Sequence, residues 1–302
     1  MINKFVTIIM STYNETEIEL RESINSVLNQ TYSNFEFIIV NDNPENANIA
    51  QVLDQLSDKR IKIIRNNMNK GLVWSLNCAL KNSIGEIIVR MDADDICVNN
   101  RIERQLEYLD KNQLDLIGSY IELIDEKGST IKELMKQPQT HKEIAFYMKW
   151  GNCIMHPTWM VKRKVFVKLD GYIEATYCED YDFILRALKA GFKVGNVPEK
   201  LLKYRIRRES ISRENIVQQY ILRLYLSNNI KNDLREEEIL NYIASEQFRE
   251  ECDNYNRYRQ YKKALIAHKK FFKQLFNMIT SKFFYFYLIE KVTSLMRNLN
   301  AD

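Results

Sequence analysis

Short apolar runs alternate with longer amphipathic stretches through the first two thirds of the chain. Residues 5–10, 35–40 and 61–64 are apolar runs dominated by Val, Ile and Phe, each closed by polar residues. Such runs predict strands, and unbroken apolarity predicts burial on both faces. Between them, residues 16–30, 46–57 and 72–82 have helical spacing, with Ile18, Ile24, Val27 and Leu28 on one face of the first. A fourth run, Ile87 to Met91, follows. This alternation predicts βαβ units and a mainly parallel sheet, an α/β fold. Further along, the pattern predicts a helix over 101–113, a strand over 114–124 and a turn at 126–129. Next come a helix over 141–150, a loop running into a strand over 151–161 and a short helix over 162–168. A helix opens near 178, and strands are expected at 194–198 and 201–206. From 213 onward there is no Gly and no Pro, and the spacing is helical throughout. The chain therefore reads as an α/β region, 1–212, followed by a helical region, 213–302.

The polar residues that close the strands are the candidate chemistry. Thr12, Tyr13, Asn14 and Glu15 follow the first strand, Asp42 the second, Lys70 the third, and Asp92-Ala93-Asp94-Asp95 the fourth. In open α/β sheets, ligands bind beyond the carboxyl ends of the strands. Three clustered carboxylates repel one another and stay ionised together most easily around a cation. A divalent metal bridging the aspartates to a ligand's phosphates is one reading. An acidic turn, with Asp94 or Asp95 capping the helix that starts near Asn100, is the other. An aromatic, a lone acid and an acid cluster along one rim suit a nucleotide. A second acidic group, Glu179, Asp180 and Asp182, opens the helix near 178, where acids also complement the helix macrodipole.

Composition narrows the classes. The chain has 302 residues, enough for one large or two modest domains, and a net charge of only +4, which carries no bulk signature of nucleic-acid binding. Its five cysteines are scattered without a C-x-x-C pair, which argues against a disulfide framework or zinc site and fits a reducing compartment. The N-terminus enters a strand directly and lacks signal-peptide features. No run reaches the ~18–20 apolar residues of a transmembrane helix. Residues 257–297 combine Arg257, Arg259, Lys262, Lys263, Lys269, Lys270 and Lys273 with many Phe and Tyr. Such a segment suits an anionic membrane surface. It also suits a helical hairpin that packs its aromatics on the α/β region or on a second copy of the chain.

The order of motifs resembles glycosyltransferase family 2, which has the GT-A fold. The resemblance rests on Val6 to Glu15, Ser26-Val27-Leu28-Asn29-Gln30-Thr31-Tyr32, Asn69-Lys70-Gly71-Leu72, Gly85-Glu86-Ile87-Ile88 and Asp92-Ala93-Asp94-Asp95. His156-Pro157-Thr158, Gly171-Tyr172, Glu179-Asp180-Tyr181-Asp182 and Tyr204-Arg205-Ile206 are similar to the bacterial capsule and O-antigen branch. It implies a Rossmann-like mixed sheet flanked by helices, and an inverting, metal-dependent transfer of a hexose from a UDP-sugar. The implied acceptor is an undecaprenyl-diphosphate-linked glycan at the cytoplasmic face of the bacterial membrane. Carried over by position, Tyr13 lies against the uracil with Thr12, Asn14 and Glu15 beside it, and Asp42 accepts from the uracil imide. Lys70 holds the nucleotide or its diphosphate. Asp92 and Asp94 flank Ala93 as the D-x-D pair and hold Mn2+ or Mg2+. Asp180 is the catalytic base with Glu179 beside it, Asp182 and His156 face the sugar or acceptor, and Arg205 and Arg207 reach the leaving diphosphate. Two positions depart from the pattern: Asn41 stands where the family usually has a first acid, and Arg207 where it often has His. A nucleotidyltransferase would need a Gly-rich phosphate loop that Ser11-Thr12-Tyr13-Asn14 lacks. An inactive nucleotide-sugar-binding subunit of a polysaccharide assembly complex is the alternative from a different class.

Overall fold

The computed structural model describes residues 3–133, 137–175, 177–207, 215–230, 232 and 234–266, with Met278, Ser281, Phe283, Phe284 and Leu288 beyond them. The chain forms two compact units. The first comprises Met1–Phe146, Cys153–Ile173 and Arg186–Arg207; the second comprises Tyr147–Asn152, Glu174–Leu185 and Arg208–Asp302.

In the first unit, β1 (Val6–Thr12), β2 (Phe35–Asn41), β3 (Ile61–Arg65) and β4 (Ile87–Asp92) alternate with α1 (Glu17–Leu28), α2 (Ala47–Asp54) and α3 (Leu72–Lys81). The order β3-β2-β1-β4 is parallel throughout, as the alternation predicts. Ile8, Met10, Phe37, Ile39, Val89 and Met91 share a buried core with Leu20, Ile24 and Val27 of α1. Ile9, Ile38 and Ile88 are also buried, and α3 packs on β1 and β2. Burial on both faces explains why these strands read as continuous apolar runs.

Beyond β4 the sheet becomes mixed, as the family resemblance implies and as strand-helix alternation alone does not. The order continues β4-β8-β6-β9-β5, with β8 (Met160–Lys162), β6 (Leu116–Ile124), β9 (Val194–Arg205) and β5 (Ile96–Cys97), and β7 (Thr130–Glu133) pairs with β6. β8 runs antiparallel to β4 and β6, while β6 and β9 are parallel. The two strands expected at 194–198 and 201–206 are one strand. Its register with β6 jumps from Val197 opposite Ser119 to Lys200 opposite Tyr120. Pro198, which has no N–H to give a ladder, falls in that bulge. The segment expected to run straight into a strand over 151–161 instead makes a 3-10 turn, His156–Thr158, before β8.

Three further helices complete this unit or lie mainly in it: α4 (Arg101–Lys111), α5 (His141–Tyr147) and α6 (Arg163–Leu169). Asn100 precedes α4, so neither Asp94 nor Asp95 caps it. Gly85 sets the approach of β4 to β1. A Cβ there would lie 2.4 Å from the backbone nitrogen of Thr7 and 2.8 Å from the carbonyl carbon of Val6. Backbone cannot yield as a side-chain tip does. Gly85→Ala is therefore expected to cost ~1–3 kcal/mol of stability, read from the urea midpoint at unchanged slope.

In the second unit, the helix α7 (Glu179–Lys189) opens with its acids, and α8 (Ile216–Asn228), α9 (Glu236–Ala244) and α10 (Glu246–Ile266) follow. Tyr220 stacks on Tyr255 at 4.1 Å between ring centroids, and Phe283, itself buried, packs edge-on against Tyr255 at 5.0 Å. At Tyr258 and Phe283 the aromatic character of the tail is therefore core. Lys269, Lys270, Lys273 and most of the remaining aromatics of that segment lie outside the described residues. Among the described residues, no helix is long and apolar enough to cross a membrane.

Candidate active site

The carboxyl ends of the parallel strands converge on one rim of the first unit, and the residues expected there touch one another. Thr12 donates to Glu15 Oε2 at 2.5 Å, and the same oxygen accepts the Tyr13 N–H at 2.8 Å. Glu15 thus shapes the turn that leaves Tyr13 at 42% exposure, an aromatic face open beside β1. Asp42 follows β2, its N–H bonded to the Thr12 carbonyl at 2.9 Å. The buried Asp42 carboxylate accepts from Asn66 Nδ2 at 2.6 Å, the Lys70 N–H at 2.8 Å and the Gly71 N–H at 2.9 Å. The third bond depends on Gly71 at φ +88°, a conformation that side chains disfavour. Among the described residues, one acceptor position on Oδ2 is left over for a ligand N–H. The side chain of Lys70 is exposed. Asn41, where the family pattern has an acid, is buried and accepts the Asn43 N–H at 2.9 Å.

At the end of β4, Asp92, Asp94 and Asp95 each offer a carboxylate oxygen, and the three lie within 4.8 Å of one another. Each has a different anchor. Asp92 pairs with the buried Arg90 at 2.5 Å. Asp94 faces Arg207 Nε at 3.2 Å. Asp95 Oδ1 accepts the Arg205 N–H at 2.8 Å, while its buried Oδ2 meets no partner among the described residues. Burial, reinforced by the charge of Asp92 and opposed by Arg207, pushes the Asp94 carboxyl up to about 7. Burial and its two acidic neighbours likewise raise Asp95 well above the carboxylate range. These are the marks of an anionic group short of positive charge. A cluster of oxygen donors with one buried oxygen orphaned fits a hard divalent cation, which Asp92 and Asp94 would hold. Mn2+ and Mg2+ both suit that donor set.

Two arginines close the rim and diverge in role. The Arg205 side chain is 1% exposed, and its guanidinium donates to the carbonyls of Asp94 (2.8 Å), Asp125 (3.3 Å) and Glu126 (3.0 Å) and pairs with Glu22 at 2.7 Å. The diphosphate contact expected of Arg205 does not match this placement. Arg205 positions the backbone of the acid cluster instead. Arg207 stays at the surface of the site. It donates to Glu19 at 2.5 Å and 3.2 Å and to Asn14 Oδ1 at 3.2 Å. Burial favours a neutral Glu19, but the bonds from Arg207 and Thr16 outweigh it and hold its carboxyl below the usual range.

His156 is buried, not open to a sugar. Its Nε2 lies 3.0 Å from the Tyr172 hydroxyl, and its ring is 4.5 Å from that of Trp159. Burial, followed by the charge of Arg90, keeps it neutral. In the second unit, Asp180 Oδ2 accepts from Asn152 Nδ2 at 2.7 Å and Oδ1 accepts the Tyr181 N–H at 2.6 Å. Glu179 is half-buried beside it and Asp182 is buried.

Glu19, Glu22 and Arg90 escaped the sequence reading. Glu19 carried a signal, the Thr16-x-x-Glu19 capping box, which is formed here. Arg90 carried another: a charge inside an otherwise apolar strand needs a buried partner.

Residues 7–170 match the family described as Glycosyl transferase family 2. An uncharacterized glycosyltransferase of Methanocaldococcus jannaschii is 37% identical over 236 residues, 76% of this chain and 81% of that protein. The O-antigen biosynthesis glycosyltransferase WbnJ of Escherichia coli is 37% identical over 228 residues, 74% of this chain and 86% of that protein. The Escherichia coli UDP-Glc:alpha-D-GlcNAc-diphosphoundecaprenol beta-1,3-glucosyltransferase WfgD is 34% identical over 144 residues, 48% of this chain and 56% of that protein. Among solved structures, Staphylococcus aureus TarS 1-349 in complex with UDP-GlcNAc superposes with a TM-score of 0.60 at 18% identity, covering 92% of this chain and 79% of that one. The mannosyltransferase PcManGT of Pyrobaculum calidifontis, in complex with GDP-Man and Mn2+, gives 0.59 at 14%, covering 96% and 86%. At such identities these structures establish the GT-A-like architecture alone, and it is the family match together with the relatives that decides the assignment: the chain belongs to glycosyl transferase family 2 and is a glycosyltransferase.

Proposed function

We propose that this glycosyltransferase moves a hexose, galactose or glucose or an N-acetyl form, from a UDP-sugar to a hydroxyl of an undecaprenyl-diphosphate-linked glycan, with inversion, during capsule or O-antigen synthesis. The observation that carries the reading is the acid cluster at the end of β4, with its orphaned oxygen, on one rim with Tyr13 and Asp42. WfgD, by its name, uses UDP-Glc and a lipid-linked acceptor, and WbnJ serves O-antigen synthesis, which supports the choice of donor and acceptor classes.

Each residue has a physical task. Tyr13 offers its ring to the uracil, and Asp42, fixed by three donors, accepts the imide N–H on its free lone pair. Lys70 and Arg207 bring positive charge to the diphosphate. Asp92 and Asp94 hold the divalent ion, which when bound neutralises charge growing on the departing diphosphate. Asp180 takes the acceptor's hydroxyl proton as that oxygen forms its bond to the anomeric carbon. The bond from that carbon to the diphosphate breaks on the opposite face, UDP leaves with the electron pair, and the configuration inverts. Asn152 and the Tyr181 N–H orient the Asp180 carboxylate for this transfer. Region 1–212 carries this chemistry. The basic segment beyond 257 brings the enzyme to the anionic inner face of the cell membrane, where the lipid-linked acceptor resides.

Tyr13 supplies a direct check. Stacking of a base on an aromatic contributes ~1–3 kcal/mol, so Tyr13→Ala is expected to weaken UDP binding roughly ten- to hundredfold, with Tyr13→Phe close to wild type. Titration calorimetry decides it. Equal affinity of the alanine variant for UDP removes Tyr13 from the site.

A further inference from the structure

Arg207 faces the acid cluster through Asp94, and an arginine does not ligate a metal. Its surroundings show a cation fixed in place. Glu19 grips it at two points, 2.5 and 3.2 Å, and the Glu19 carboxylate is itself locked by the Thr16 N–H at 2.9 Å and the Thr16 hydroxyl at 2.8 Å. Asn14 holds a third nitrogen at 3.2 Å. The same Nε that faces Glu19 lies 3.2 Å from Asp94 Oδ2, so the guanidinium spans the N-terminal turn of α1 and the acid cluster. These contacts engage one N–H on each of its three nitrogens. Among the described residues, they leave two of the five N–H groups of a guanidinium for a further anion.

We propose that Arg207, clamped by Glu19, is a permanent counter-cation of the aspartate cluster that binds the diphosphate of the nucleotide together with the divalent ion. Donor binding then depends on the metal less steeply than in a site with a histidine at this position. The idea rests on the nucleotide site proposed above. Glu19 is a positioning residue in it, acting only through Arg207.

UDP is the probe, titrated calorimetrically into the full chain in Mn2+ and in EDTA. Removing the metal from the wild type is expected to weaken UDP binding by only about tenfold, because a preplaced guanidinium still meets the phosphates. Arg207→Met should bind within about tenfold of wild type in Mn2+, yet lose more than about a hundredfold on going to EDTA. Arg207→His is expected to shift the site the other way, with tighter Mn2+ binding in the presence of UDP and a steep loss in EDTA. Glu19→Gln, which leaves Arg207 present but unclamped, should weaken binding in EDTA more than in Mn2+. A loss of more than about a hundredfold for the wild type in EDTA overturns the inference, and that measurement needs no variant to fold. Arg207→Met matching the wild type in EDTA overturns it too. In both cases intact UDP binding in Mn2+ leaves the glycosyltransferase site standing. Absence of UDP binding in both buffers overturns the site and the inference together.

Discussion

Asp180→Asn is expected to lower turnover roughly a hundred- to ten-thousandfold while UDP binding stays within a few-fold of wild type. A sugar hydroxyl is a weak nucleophile, and its proton must leave as the new bond forms. Asparagine has the same shape as aspartate but no basic oxygen. The substitution keeps one oxygen to accept the Tyr181 N–H, and its new amide NH2 can donate to the Asn152 side-chain oxygen once that amide flips. Both contacts that orient this side chain, at 2.7 and 2.6 Å, can thus re-form. Fold and nucleotide site therefore remain as controls: an unchanged melting temperature and unchanged UDP affinity separate loss of chemistry from loss of structure. Asn152→Ala should show a smaller fall in turnover, because the base stays but its orientation loosens. Full activity of Asp180→Asn removes Asp180 as the base, and Glu179 is then the next residue to test.

Asp94→Asn is expected to act earlier, on the metal and the diphosphate. Asp94 shares a 4.8 Å cluster with Asp92 and Asp95, and its partner Arg207 lies at 3.2 Å. Losing one of the few carboxylate ligands should weaken Mn2+ affinity by at least about tenfold and lower turnover by roughly a hundredfold or more. Stability should respond in the opposite sense. Burial and its acidic neighbours raise the Asp94 carboxyl, so its ionised form opposes folding; a neutral Asn relieves that penalty and the melting temperature should hold or rise. That pairing, with weaker metal binding and no loss of stability, identifies the cluster as a site kept for function. A marked fall in melting temperature with unchanged Mn2+ affinity would show instead that Asp94 serves the fold.

The parallel half of the sheet was legible because its strands are buried on both faces and so leave continuous apolar runs. Val6–Thr12, Phe35–Asn41 and Ile87–Asp92 each carry their own signal. The mixed half was not, because Ile96–Cys97 and Met160–Lys162 are too short for any periodicity and exist through their ladders to neighbours distant in sequence. Pro198 looked like a strand break and is a bulge within one strand. The acid cluster, Tyr13 and Asp42 could be placed on one rim from strand ends alone. Which arginine keeps donors at the rim could not. Arg205 and Arg207 are two residues apart and share a charge, and only packing shows one engaged by three carbonyls and Glu22 while the other keeps donors to spare. His156 is expected to face the sugar or acceptor and is buried against Trp159 and Tyr172. Glu19 and Glu22 acquire their partners only when the end of β9 is laid beside α1.

The most direct measurement is a donor panel on the full chain. UDP-glucose, UDP-galactose, UDP-N-acetylglucosamine and UDP-N-acetylgalactosamine would each be incubated with Mn2+ and a diphosphoundecaprenol-linked glycan, and products read by mass spectrometry. One donor should yield an acceptor heavier by a single sugar, with an equal amount of UDP released and the anomeric configuration inverted. If the protein binds UDP yet transfers no sugar from any of the four donors to such an acceptor, the proposed reaction is wrong, and the same site must serve another donor or acceptor.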